Sequence, residues 1–263
     1  MVKFFILSIV GFLMGIVTIV LGGGGGAIYV GILTLFFNIS PAVATSTSLA
    51  TMFPTAAVGA FSHWKAGNVN GKTGMIMLAG GAVGSIIGSV CSGYLPAKIF
   101  GKLIGAVIIL LSILMVVSIL RKKHVAKAAP VEAEHATQRS LIAKAVAFGA
   151  VSGIISGLVG TSGTTAIIAG LTILGCSALE VVGTSVFVMA GISVIGFVTR
   201  LGVGSVDWPL VLLLSVSAIS GAIIGSILLR NVKQKVKSEK RDAVLQSLMV
   251  IGNLAIGIAQ LLK

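Results

Sequence analysis

Two stretches of the chain expose main chain where the surrounding sequence is apolar. Gly22-Gly23-Gly24-Gly25-Gly26 lies between the apolar segments 4–21 and 27–37, and Gly160-Thr161-Ser162-Gly163-Thr164 lies between 141–159 and 164–175. Glycine strongly disfavours helix continuation, so each stretch breaks a helix. The helix that restarts beyond the break presents N–H groups without intrahelical partners and a partial positive charge. Such an end holds an anion with no charged side chain. In the first stretch Gly23, Gly24, Gly25 and Gly26 can act only through main chain. In the second, Thr161, Ser162 and Thr164 flank Gly163 and add hydroxyl donors. Thr45, Ser46, Thr47 and Ser48 follow in the next segment of the first half, with Thr184 and Ser185 in the corresponding segment of the second. These hydroxyls either serve a tetrahedral or pyramidal oxyanion or bond backbone carbonyls and neighbouring helices.

Other chemistries find little support. No His, Asp, Glu and Cys constellation converges and no metal-ligand spacing occurs, so no catalytic residue, metal or cofactor is expected. Gly22-x-Gly24-x-x-Ala27 fits a dinucleotide fingerprint formally, but it follows an apolar span rather than a strand. Cys91 and Cys176 form no paired motif and read as small buried hydrophobes, with Cys176 also placed to line a pathway. The six acidic residues avoid the centres of the apolar segments. Glu180 and His63 are therefore the sole candidates for a proton-coupling group.

The elements that carry these residues follow from composition. With 56% hydrophobic residues, 10% charged residues and a mean hydropathy of +1.13 over 263 residues, the chain reads as an all-α polytopic membrane protein. Further apolar segments fall at 42–62, 73–94, 99–120, 179–199, 208–229 and 243–262. In each half the second segment is too short to span, since a span needs about 20 residues. This predicts eight full spans plus two short helices. The first segment lacks a signal-peptide cleavage site and is expected to be retained.

The same landmarks occur twice in the same order. Gly11–Gly15 corresponds to Gly149–Gly153, the glycine run to Gly160–Thr164, and Ala44-Thr45-Ser46 to Gly183-Thr184-Ser185. Gly67-Asn68-Val69-Asn70 corresponds to Gly204-Ser205-Val206-Asp207, and Gly84–Ser89 to Gly221–Ser226. A first transmembrane repeat, 1–120, and a second, 140–263, are thus joined by a basic, flexible linker, 121–139. The small-xxx-small pairs Gly84/Gly88 and Gly221/Gly225 read as helix-packing faces.

The net charge of +13 gathers in Arg121–Lys144 and Arg230–Arg241, between apolar segments. That is the positive-inside bias of cytoplasmic loops in contact with anionic membrane lipids, not a nucleic-acid surface. Placing both basic segments in the cytoplasm makes the repeats five-plus-five and inverted. Counting each short segment as an extension of its predecessor gives four-plus-four and parallel repeats, against the charge rule. His63, Lys65 and Arg200 end equivalent segments, either anchoring in the headgroups or forming an entrance for anions. Trp64 and Trp208 suit an interfacial belt.

The duplicated set resembles the TauE/SafE family of sulfite exporters. Its elements here are Gly22–Gly26, Val43-Ala44-Thr45-Ser46, Gly67-Asn68-Val69 and Gly84–Gly88, with second copies at Gly160–Thr164, Val182–Ser185, Gly204–Asp207 and Gly221–Gly225. The resemblance covers nearly all of the chain outside the linker. It implies a transporter in a prokaryotic cell membrane for sulfite or related small anions such as organosulfonates. One departure is that the second motif is Thr161-Ser162-Gly163 where the family is usually glycine-rich. Export of an anion from a negative interior is favoured by about 2.3 kcal/mol per charge per 100 mV, so it needs no coupling ion. An anion channel, an importer of another small organic anion and a membrane-embedded enzyme are the competing readings, the last the least supported.

Overall fold

The computed structural model describes residues 2–23, 25–125, 138–161, 163–202, 206–232, 251 and 254–262. Among them the ordered elements are all helices: α1 (Val2–Leu21), α2 (Gly26–Leu35), α3 (Pro41–Lys65), α4 (Gly71–Gly93), α5 (Ala97–Val125), α6 (Gln138–Val159), α7 (Thr164–Ile173), α8 (Ala178–Leu201) and α9 (Trp208–Val232). Residues 254–262 are helical as well. Gly24, Ser162, Gly204, Ser205 and most of the basic segment 230–241 lie outside the described residues. Helix α5 runs on through Arg121–His124 to Val125 and α6 starts at Gln138, so only 126–137 lies outside the described residues.

Among the described residues four helices, Gly71–Gly93, Gln138–Val159, Leu179–Leu201 and Trp208–Leu228, are long and apolar enough to cross a bilayer. The ten residues each of α2 and α7 reach about 15 Å, roughly half a hydrocarbon core. Local chemistry sets the helix starts. Ser40 caps α3 ahead of Pro41, and Ser177 with Glu180 forms a capping box on α8. Asn70 and Asp207, the last residues of one repeated landmark, accept from the Thr73 and Leu210 N–H groups and so start α4 and α9.

Glycine faces bring the helices together. Helix α6 packs on α4 in the same direction, with Gly149 against Met77, Gly153 against Gly81 and Gly157 against Ser85. Gly80, Gly84 and Gly88 of α4 close the same seam against Val146, Ala150 and Ile154. Helix α1 packs on α9 likewise, with Gly15 against Ala218, Gly221 against Phe12 and Gly225 against Ile16. At most of these points a Cβ would strike main chain of the facing helix, so the backbones approach as only glycine allows. Helices α3 and α8 cross at the centre in opposite directions, Gly59 meeting Val186 and Gly196 meeting Leu49. Gly74 against Thr184 and Phe187 and Gly191 against Leu78 set α4 along α8, and Ile19 at the end of α1 meets Gly59 near the end of α3. Helices α1, α3 and α9 therefore run one way and α4, α6 and α8 the other. The outward face is apolar: Val83, Ile86, Ile87 and Val90 of α4 are exposed while Gly74, Gly80, Gly81, Gly84 and Gly88 are buried.

Candidate functional site

The two glycine-rich turns meet each other. Gly22 (φ +85°) and Gly23 (φ +129°) leave α1, and Gly160 (φ +73°) and Gly163 (φ +53°) do the same after α6, all in the region that disfavours side chains. A Cβ on Gly23 would strike the Thr164 side chain, and one on Gly26 would lie 2.8 Å from the Gly160 carbonyl oxygen. The start of α2 therefore touches the turn that begins α7, and the start of α7 touches the turn that begins α2. Neither helix has a side-chain cap: Gly25 and Gly163 occupy the cap positions. Two helix N-termini with their partial positive charge thus converge within the buried interior.

Hydroxyls from the crossing helices clamp these turns. Ser48 donates to the Gly160 carbonyl at 2.9 Å and is 3.3 Å from that of Gly26, while Ser185 donates to the Gly22 carbonyl at 2.7 Å. The Asp207 N–H donates to Thr47 Oγ1 at 3.3 Å, and the Asn70 N–H donates to Thr184 Oγ1 at 2.9 Å. The bonds pair Thr47 and Ser48 with Thr184 and Ser185, two residues away from the correspondence with Thr45 and Ser46 drawn from sequence. Thr-Ser occurs twice running in 45–48, so the dipeptide alone cannot set the register. The caps can: Thr47 and Thr184 each stand seven residues beyond the cap serines Ser40 and Ser177. Thr45 and Ser46 instead bond the carbonyls of Pro41 and Ala42 in their own helix, Thr45 also lying 3.4 Å from the Val159 carbonyl.

The cationic residues part company. His63 Nε2 lies 3.1 Å from the Ile19 carbonyl at the end of α1. Arg200 donates from Nη2 and Nε to the Gly157 carbonyl at 2.8 and 3.2 Å, and from Nη2 to that of Leu158 at 3.1 Å, at the end of α6. Both satisfy carbonyls that a helix C-terminus leaves unpaired. At 1% and 3% exposure they do not reach outward for headgroups. Lys65 is exposed, its ammonium 4.5 Å from the centre of the Phe61 ring. Glu180 is occupied as the α8 cap, bonding the Ser177 N–H at 2.9 Å.

Gly23, Gly25, Gly26, Thr45, Ser46, Thr47, Thr161, Gly163, Thr164, Thr184 and Ser185 are all buried. Of these hydroxyls, that of Thr161 has no hydrogen-bond partner among the described residues; nor do Ser152 and Ser156 of α6. The last two escaped the sequence reading because they alternate with Gly149, Gly153 and Gly157 and look like part of a packing face. A cavity of about 520 Å³ lined by Phe53, Phe61, Trp64 and Phe187, and one of about 220 Å³ lined by Ile32 and Phe36, are apolar. No predicted anion-binding residue lines either. Among the described residues no group of His, Cys, Asp and Glu is placed to hold a metal.

The sequence pattern of the sulfite exporter TauE/SafE family matches residues 7–254. The chain belongs to this family. It is 32% identical to the probable membrane transporter protein YdhB of Bacillus subtilis over 222 residues, 84% of this chain and 88% of that protein. It is 27% identical to the probable membrane transporter protein YunE of the same organism, over 89% of this chain and 91% of that one. A probable membrane transporter protein of Methanocaldococcus jannaschii is 27% identical over 95% of this chain and 93% of its own. No solved structure matches the chain. Membership makes it a multi-pass membrane transporter of a small molecule, in a family of transporters rather than enzymes.

Proposed function

We propose that the chain exports small sulfur-containing anions such as sulfite or organosulfonates from a prokaryotic cell, by alternating access around the crossing of its two glycine-rich turns. The contact of Gly23 with Thr164 and of Gly26 with Gly160 carries the proposal. It joins two uncapped helix N-termini where, among the described residues, no carboxylate competes for them, a setting that favours an anion over a cation. The family's description as sulfite exporters supports the substrate class.

The moving parts are two inverted repeats, 1–120 and 140–263, with eight full spans and two half-length helices between them. Exchanging the halves exchanges the contacts. The α1–α9 seam becomes the α6–α4 seam, Ser48 on Gly160 becomes Ser185 on Gly22, and His63 on Ile19 becomes Arg200 on Gly157. The partners run in opposite directions, as inverted-repeat transporters with broken helices require. Rocking one half against the other would open the turns to either side in succession.

The test is sulfite flux in proteoliposomes with an imposed potential. Efflux from the negative side should increase with the potential and continue without a pH gradient. Flux that needs a pH gradient and ignores a potential clamped to zero overturns the export mechanism, and unitary currents would favour a channel. A binding panel of sulfite, sulfonates, sulfate and carboxylates tests the substrate class.

A further inference from the structure

The two halves that meet at the turns are not chemically alike. Where α1 backs the first turn, Gly25 faces the side chains of Met14 and Thr18. Where α6 backs the second, Gly163 faces Ser152, whose Oγ would lie 2.5 Å from a Cβ placed there. Ser156 stands one helical turn further along α6. Ser152, Ser156 and Thr161 have exposures of 0%, 0% and 3%, and none of their hydroxyls has a hydrogen-bond partner among the described residues.

A serine within a helix ordinarily returns its hydroxyl to the carbonyl four residues back, as Ser112 does to Ile108 and Ser217 to Leu213. Leaving a buried hydroxyl unpaired is unfavourable, and a group kept in that state calls for a reason. Here Ser152 and Thr161 lie beside one uncapped helix start, that of α7, with Ser156 one turn along α6 from Ser152. A buried cation lies at the end of α6. Arg200 holds the Gly157 carbonyl, adjacent in sequence to Ser156, and among the described residues no carboxylate is bonded to it.

Resting on the transport reading above, we infer that the anion is bound asymmetrically, by the second turn, with Ser152 and Ser156 as specificity-determining donors beside Thr161. The ligand class that fits is an oxyanion with several acceptor oxygens, such as sulfite or a sulfonate head. Three hydroxyls and the α7 main chain can each meet one oxygen lone pair. A halide offers no such divergent acceptors and should bind weakly. The first turn then serves mainly as the opposing wall, through main chain alone.

The experiment uses the full-length protein in detergent micelles and follows its thermal midpoint with added sulfite, methanesulfonate, sulfate or chloride. Wild type should be stabilised by sulfite or methanesulfonate and not by chloride. The S152A/S156A double variant should keep or raise the ligand-free midpoint, because it removes unpaired buried hydroxyls. It should also need at least tenfold more anion for half the shift. S215A, which removes another unpartnered hydroxyl on α9, should leave that concentration unchanged. A double variant that responds to the anions as wild type does overturns this inference alone, as does one whose ligand-free midpoint collapses, which would make the hydroxyls structural. Wild type that responds to none of the oxyanions overturns the transport reading and this inference with it.

Discussion

Replacing Gly163 by alanine separates two penalties that the turns carry at once. The first is conformational: at φ +53° an L-residue pays about 1–2 kcal/mol relative to its preferred basins. The second is steric. The new Cβ would strike the Ser152 carbonyl, main chain in the middle of α6 that cannot rotate aside, so α7 must shift or α6 must bend. Overpacking of this kind adds about 1–3 kcal/mol, giving about 2–5 kcal/mol in all. Gly67 and Gly175 supply the comparison, with φ of +69° and +80° and nothing within 4 Å of where a methyl group would stand. Their alanine variants should lose only the conformational part, about 1–2 kcal/mol. The assay is reversible unfolding in mixed micelles, with sulfite-induced stabilisation measured alongside. G163A should be destabilised beyond G67A by about 1–3 kcal/mol, roughly 5- to 150-fold in the unfolding constant, and should lose the anion response. Equal stability losses for G163A and G67A would refute the steric argument, and an intact anion response in G163A would refute the placement of the ligand at this turn.

Ser48→Ala should destabilise by about 1–3 kcal/mol, because the Gly160 and Gly26 carbonyls lose their common donor, whereas Ser46→Ala should change unfolding little, since that hydroxyl bonds only its own helix. Arg200→Met should cost about 2–4 kcal/mol by stripping the Gly157 and Leu158 carbonyls, read in the same unfolding assay. An Arg200→Met protein as stable as wild type would mean that removing the buried charge offsets those lost bonds.

Helix existence and spacing were legible in the chain. Apolar runs, glycine breaks and cap residues are local, and the predicted segments 42–62, 73–94 and 208–229 lie within or close to α3, α4 and α9. The duplicated Gly-Asn-Val-Asn and Gly-Ser-Val-Asp landmarks had a local cause as well, in the capping of α4 and α9 by Asn70 and Asp207. The end of α5 was not legible, because Arg121–His124 carry charge on good helix-forming sequence, and charge alone does not stop a helix.

What the sequence determined by itself is the membrane class and the broken helices, since each rests on the apolarity or conformational preference of neighbouring residues. Tertiary structure decided which residues share a place. It chose Thr47 and Ser48 over Thr45 and Ser46, turned His63 and Arg200 inward onto helix-end carbonyls, and brought Gly23 against Thr164 across more than a hundred residues. It also left Ser152, Ser156 and Thr161 without partners among the described residues. Those outcomes depend on the angular register of helices packed through glycine, where one side chain more or less changes which faces can touch, and no local pattern encodes that register.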